Sequence, residues 1–202
     1  MGMRTMLTRL AGKLDLPTDI AAGLPRIALN GFSECSLDRH RGILEYDTPV
    51  VWLDTADCHF EEDRLTDSMS RINKDEAALL VSTLQKYIEK IGKERVLDES
   101  IDFGLISPYK SQVQYIRGLI KRNAFFKPFR RLITVHTVDG FQGQERDVIM
   151  ISLVRANDKG QIGFLGDLRR MNVAITRARM KLMILGDAPT LTRHAFYKEL
   201  YE

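Results

Sequence analysis

Thr134-Val-His-Thr-Val-Asp-Gly-Phe-Gln-Gly-Gln-Glu-Arg-Asp147 runs directly into Val148-Ile-Met-Ile-Ser-Leu-Val154, and this junction decides the fold. The second run is almost continuously apolar and of strand length, which is how a strand buried on both faces reads. The first is a connector in which Gly140 and Gly143 permit tight backbone geometry and close approach to a ligand. Working outward, the same alternation recurs. Strands are expected over 50–53, 103–106, 132–135, 148–153 and 181–185, and amphipathic helices over 74–91, 110–122, 168–178 and 189–201. Short β-branched runs separated by helical stretches predict an α/β fold, a parallel sheet flanked by helices.

Local signals sharpen this pattern. Asn73 is placed to cap the first helix, with Asp75 and Glu76 near its positive end, and Asp167 is placed to cap the third. Residues 58–71 are charged and turn-rich and read as a loop. The pattern weakens before Pro49, so residues 1–48 read as a lead-in or interdomain connection and 49–202 as the folded domain.

Composition narrows the function classes. The 202 residues, 44% of them apolar, can bury one substantial core. A net charge of +3 is the small difference between 30 basic and 27 acidic residues, so any nucleic-acid argument must rest on local placement. Cys35 and Cys58 are far apart and form no Cys-x-x-Cys pair. That spacing fits a reducing, cytoplasmic setting and argues against a disulfide framework or a zinc site. No apolar run approaches the roughly 20 residues of a membrane span, so no membrane partner is expected.

Three segments carry chemistry. On a helix over 168–178, Leu168, Met171, Ala174, Ile175 and Ala178 share the apolar face, while Arg170 and Arg177 project along one line on the other side. Guanidinium forks suit phosphate oxygens, although a solvated basic face would look the same. In the connector, Gln142 and Glu145 offer an amide and a carboxylate suited to a ribose, or the glycines only make a bend. Ser107 and Ser111, with Pro108 at a helix start, can hold a backbone phosphate or simply cap the helix. His136, at a strand end, is either a stacking platform or a structural residue.

Read jointly, five blocks in order resemble the second RecA-like domain of superfamily 1 helicases. They are 70–77, 106–112, 137–147, 152–157 and 163–179. The closest likeness is to the group holding the nonsense-mediated-decay RNA helicase and the immunoglobulin mu-binding helicase. The resemblance implies a RecA-like, P-loop NTPase fold that lacks its P-loop, since no Gly-x-x-x-x-Gly-Lys-Ser/Thr occurs in the sequence. It implies an ATP-dependent helicase in which Arg177 is the arginine finger. Gln142, Gly143, Glu145, Lys74 and Arg170 would face the nucleotide. Ser107, Pro108, Tyr109, His136, Thr137, Arg155 and Asn157 would face single-stranded DNA or RNA. ATP and Mg2+ are the implied cofactors, the metal being held by an N-terminal RecA-like partner domain, without which the chain is expected to be inactive. The alternative is a stand-alone nucleic-acid-binding module of the same fold.

Overall fold

The computed structural model describes residues 49–64, 70–141 and 143–202. Five parallel strands form one sheet in the order β1-β7-β6-β4-β5. They are β1 (Val50–Asp54), β4 (Phe103–Ser107), β5 (Ile133–Thr137), β6 (Arg146–Ser152) and β7 (Ala178–Gly186). The expected α/β architecture is therefore present. A short antiparallel ladder, β2 (Asp63–Arg64) with β3 (Arg71–Ile72), lies in the stretch expected to be only a loop.

Strand residues alternate between two cores because successive side chains point to opposite faces. Val51, Leu53, Leu105, Met150 and Leu185 pack against α1 (Lys74–Ile91) and α3 (Lys110–Arg122). Trp52, Ile106, Ile151 and Ile184 pack on the other face against α4 (Leu168–Ile175) and α6 (Ala195–Tyr201). Each fully buried Leu, Ile or Phe contributes about 1.5–3 kcal/mol, so the three layers are held chiefly by these two apolar interfaces. The short helices α2 (Lys93–Asp98) and α5 (Ala188–Leu191) complete the chain.

Gly104 has a positional task in the sheet. The connector from β5 to β6 crosses β4 with only a single 3-10 turn, Asp139–Phe141, and lays Phe141 over the sheet. A Cβ on Gly104 would sit 2.7 Å from Phe141 Cζ and 2.5 Å from Ile149 Cδ1, so the crossover needs a bare backbone at that point.

Several expectations need correction. The helix expected to reach Ala178 stops at Ile175. Thr176 Oγ1 donates to the carbonyls of Asn172 (2.9 Å) and Val173 (3.1 Å), and Arg146 N–H donates to Arg177 O at 3.0 Å, so strand pairing replaces the last helical turn. Asp167 makes no side-chain cap; its carboxylate faces Arg170 instead. The last expected helix divides at 192–194 into α5 and α6. Cys35, one of the two cysteines read as far apart, lies outside the described residues. The expected lead-in, residues 1–48, lies outside the described residues. Among the described residues no helix is long and apolar enough to cross a membrane.

Candidate nucleotide and nucleic-acid surfaces

At the carboxyl edge of the sheet, β4, β5 and β6 end in Ser107, Thr137 and Ser152, and α1 and α3 begin there. Open α/β sheets place ligands at this edge. A shallow cleft is lined by Pro108, Thr137, Asp139, Phe164, Asp167 and Arg170. Thr137 Oγ1 accepts from Gly140 N–H (3.4 Å), and a Cβ on Gly140 would meet His136 Nδ1 at 2.7 Å, so glycine lets this turn fold against the histidine. His136 Nδ1 lies 3.3 Å from Arg117 Nη2 and its ring packs edge-on to Phe141. Lys74 opens α1 at the same edge, exposed and 3.9 Å from Asp63.

Other residues expected to touch a strand stand behind this edge. Ser107 is fully buried, with its hydroxyl 3.5 Å from Tyr109 N–H. Tyr109 is 2% exposed, packs on the exposed Phe164 at 5.6 Å between ring centroids, and has its hydroxyl pKa pushed up by burial. Arg155 is also 2% exposed. Its Nε donates to Glu62 Oε2 at 2.7 Å, and the same carboxylate oxygen accepts from Ala156 N–H at 3.0 Å. Glu62 Oε1 takes Arg71 at 2.8 Å. Asn157 shapes its own loop, accepting from Gln161 N–H (2.9 Å) and donating to Gln161 O (3.0 Å). The expectation that Ser107, Tyr109 and Arg155 offer side chains to a strand is thus corrected in geometry: burial makes them supports of the exposed surface.

The deepest polar cluster joins α1 to the end of β6. Glu76 Oε1 accepts from Ser152 Oγ (2.6 Å) and Val154 N–H (2.9 Å), and Asn73 Nδ2 donates to Val154 O (3.3 Å). Val154 has φ +71, a left-handed conformation that β-branched residues avoid, and these bonds clamp both of its peptide groups. Asn73 also caps α1 as expected, accepting from Glu76 N–H at 2.9 Å. Glu76 is not the surface partner of the helix dipole that its position suggested. Burial pushes its pKa up to about 7 from an ordinary 4.5, against the lowering effect of the Ser152 and Val154 bonds. A raised carboxyl pKa means the folded state holds the proton more tightly. The stability this provides is complete below about 4.5 and is lost as pH rises to and through about 7. Glu76→Gln keeps an acceptor for Ser152 and Val154 but cannot titrate. The stability gap between wild type and this variant should change by up to about 3 kcal/mol between pH 4.5 and 8, read by urea unfolding. Parallel stability curves across that window would show that Glu76 does not titrate there.

The opposite, amino edge gathers a different set. Glu145 precedes β6 and Arg177 precedes β7, their neighbours paired through Arg146 and Ala178. Gly143 has φ +77 with open space where a Cβ would be, so only the backbone needs glycine there; Gln142 lies outside the described residues. Arg179 is fully engaged, 2.9 Å from Asp102 and 3.1 Å from Asp147, two carboxylates that also accept each other's backbone N–H groups. Arg177 differs. Its Nε donates to Val173 O (3.1 Å) and Nη2 to Thr176 Oγ1 (3.2 Å), and among the described residues no carboxylate pairs with it. Arg170, by contrast, lies 3.3 Å from Asp139 and 3.5 Å from Asp167 in the carboxyl-edge cleft. Arg170 and Arg177 thus lie towards opposite ends of the 168–177 stretch, seven residues or roughly 10 Å of helical rise apart, Arg170 at the carboxyl-edge cleft and Arg177 just beyond the last residue of α4.

Comparison with known proteins bears on this arrangement. A family model described as an AAA domain matches residues 28–189. The chain belongs to this family, as a superfamily 1 helicase RecA-like domain. It is 40% identical over 147 residues to DNA polymerase alpha-associated DNA helicase A of Saccharomyces cerevisiae, covering 72% of this chain and 20% of that protein. It is 40% identical over 130 residues to helicase sen1 of Schizosaccharomyces pombe (64% of this chain, 8% of that protein). It is 39% identical over 132 residues to a regulator of nonsense transcripts 1 homolog of Neurospora crassa (65% and 12%). The chain thus spans a fifth or less of each of these relatives.

In this helicase domain two residues that sequence reasoning gave no site role, Glu62 and Glu76, hold the 152–156 segment in place. Glu62 was hidden in an apparently featureless charged loop, and no local signal pointed to its partner 93 positions away. Glu76 did carry a signal, since it lies in the 70–77 block, but its position in a first helical turn offered a sufficient and wrong explanation.

Proposed function

We propose that this helicase domain is the C-terminal motor half of an ATP-dependent nucleic-acid helicase or translocase. The observation that carries the reading is Arg177: a guanidinium tethered to the end of α4, with no carboxylate partner among the described residues, beside a paired Arg179. Such a group suits charge developing on a transferring phosphoryl group. Glu145, exposed at the same edge, suits a ribose hydroxyl, and Gln142 and Gly143 precede it in the sequence. ATP, bound with Mg2+, supplies the phosphoryl group. In this reading the metal's protein ligands and the phosphate loop belong to an N-terminal RecA-like partner domain, in keeping with a sequence that holds no Gly-x-x-x-x-Gly-Lys-Ser/Thr.

The carboxyl-edge cleft then grips single-stranded DNA or RNA through Pro108, His136 and Thr137; Arg170, expected to face the nucleotide, lines this cleft instead, and Lys74, expected there too, opens α1 at the same edge. Asn157, Ser107, Tyr109 and Arg155 set the shape of that edge. Alternate closure and opening of the two domains would move the grip along one strand. The test is ATP turnover by the full-length protein with single-stranded DNA, with RNA, and with neither. Stimulation by a strand is expected. Salt-sensitive strand binding with no ATP turnover would replace the motor by a stand-alone binding module.

A further inference from the structure

Between Phe103 and Val138 the chain carries seven Lys or Arg residues and no Asp or Glu, although the rest of the sequence holds 23 basic against 27 acidic residues. All seven are exposed: Lys110, Arg117, Lys121, Arg122, Lys127, Arg130 and Arg131. None takes part in an ion pair among the described residues, whereas Arg71, Arg155, Arg170 and Arg179 elsewhere are each matched to a carboxylate. The tertiary structure gathers this tract on α3, the turn after it and the edge strand β5. An open groove of about 480 Å³ runs there, lined by Arg117, Ile120, Lys121, Arg130, Thr134 and His136.

The edge of β5 would ordinarily invite another strand. Here Arg117 covers it, donating to Val135 O from Nε (2.9 Å) and Nη2 (2.5 Å). Peptide addition is thereby blocked at that carbonyl, and what the groove offers is positive charge and N–H donors. At its upper end it meets the carboxyl-edge cleft, since His136 lines the groove and Thr137 the cleft.

We propose that this surface is a second nucleic-acid backbone track, receiving the phosphates of a strand that passes out of the cleft at His136–Thr137 and along β5. The inference rests on the helicase reading and extends it beyond the cleft. Contacts of this kind are independent of base sequence and release counterions, so they are visible as salt dependence.

The test uses the full-length protein and oligothymidylates of increasing length, with affinity measured over a range of salt. The variant carries Lys121→Ala, Arg130→Ala and Arg131→Ala, three exposed side chains outside the cleft. The shortest oligomer that binds should bind the variant and the wild type alike. For long oligomers the slope of log affinity against log salt should become shallower by about 2, from about 0.7 per lost phosphate contact on a single strand. The charge-retaining variant Lys121→Arg, Arg130→Lys, Arg131→Lys should restore the wild-type slope. An unchanged long-oligomer slope in the alanine variant, with wild-type binding intact, overturns the track and leaves the helicase reading standing. If the unaltered protein binds no oligomer of any length, both fall.

Discussion

Replacing Arg177 with Ala should reduce strand-stimulated ATP turnover of the full-length protein by about 10³-fold, the size of effect measured for arginine fingers elsewhere. The fold should survive, because the side chain is only half-buried and makes hydrogen bonds to its own helix end and neighbour rather than to the core. Arg177→Lys should recover little, since an ammonium keeps the charge but cannot present a planar fork. The companion change Arg179→Ala separates catalysis from architecture. Arg179 ties Asp102 to Asp147 across the starts of β4 and β6, so its loss should act on stability and spare turnover per folded molecule. Near-normal turnover in the Arg177→Ala protein would remove Arg177 from the chemistry.

Glu62→Ala should destabilise the domain by about 3–5 kcal/mol, because it leaves the Arg155 guanidinium buried and unpaired. The side chains of Glu62 and Arg155 are only 7% and 3% exposed, so water cannot take over the lost contact. The bond to Ala156 N–H is lost as well. Making the second change as well, Glu62→Ala with Arg155→Met, should recover part of the loss by removing the stranded charge. Unfolding in urea, as a double-mutant cycle, measures this directly. A loss below about 1 kcal/mol for Glu62→Ala would show that the pair is solvated and that the 155–157 segment is held by other means.

The layers of this domain were legible because their signal is periodic. Val148–Leu153 had to be buried on both faces, and Asn73 had to open a helix, whatever the rest of the chain did. Boundaries were less legible where two structures compete for the same residues. At 176–178 the helical pattern continues, yet Thr176 satisfies the last carbonyls of α4 and pairing with Arg146 draws the chain into β7. The helix therefore ends at Ile175, before its pattern does, and Arg177 stands at the entry to β7 rather than inside α4.

By itself, then, the sequence determined a parallel α/β sheet, the ordered blocks of a superfamily 1 helicase domain, and the absence of a phosphate loop from these residues. It did so through periodicity and local residue chemistry, which depend only on near neighbours along the chain. The tertiary structure alone decided which polar residues face outward. Arg155, Tyr109 and Ser107 became supports because Glu62 and the edge of the sheet enclose them, Arg177 has no carboxylate partner among the described residues while Arg179 has two, and the acid-free tract came to line one edge strand. Each outcome turns on contacts between residues far apart in sequence, where burial and charge pairing are settled only after the layers have packed.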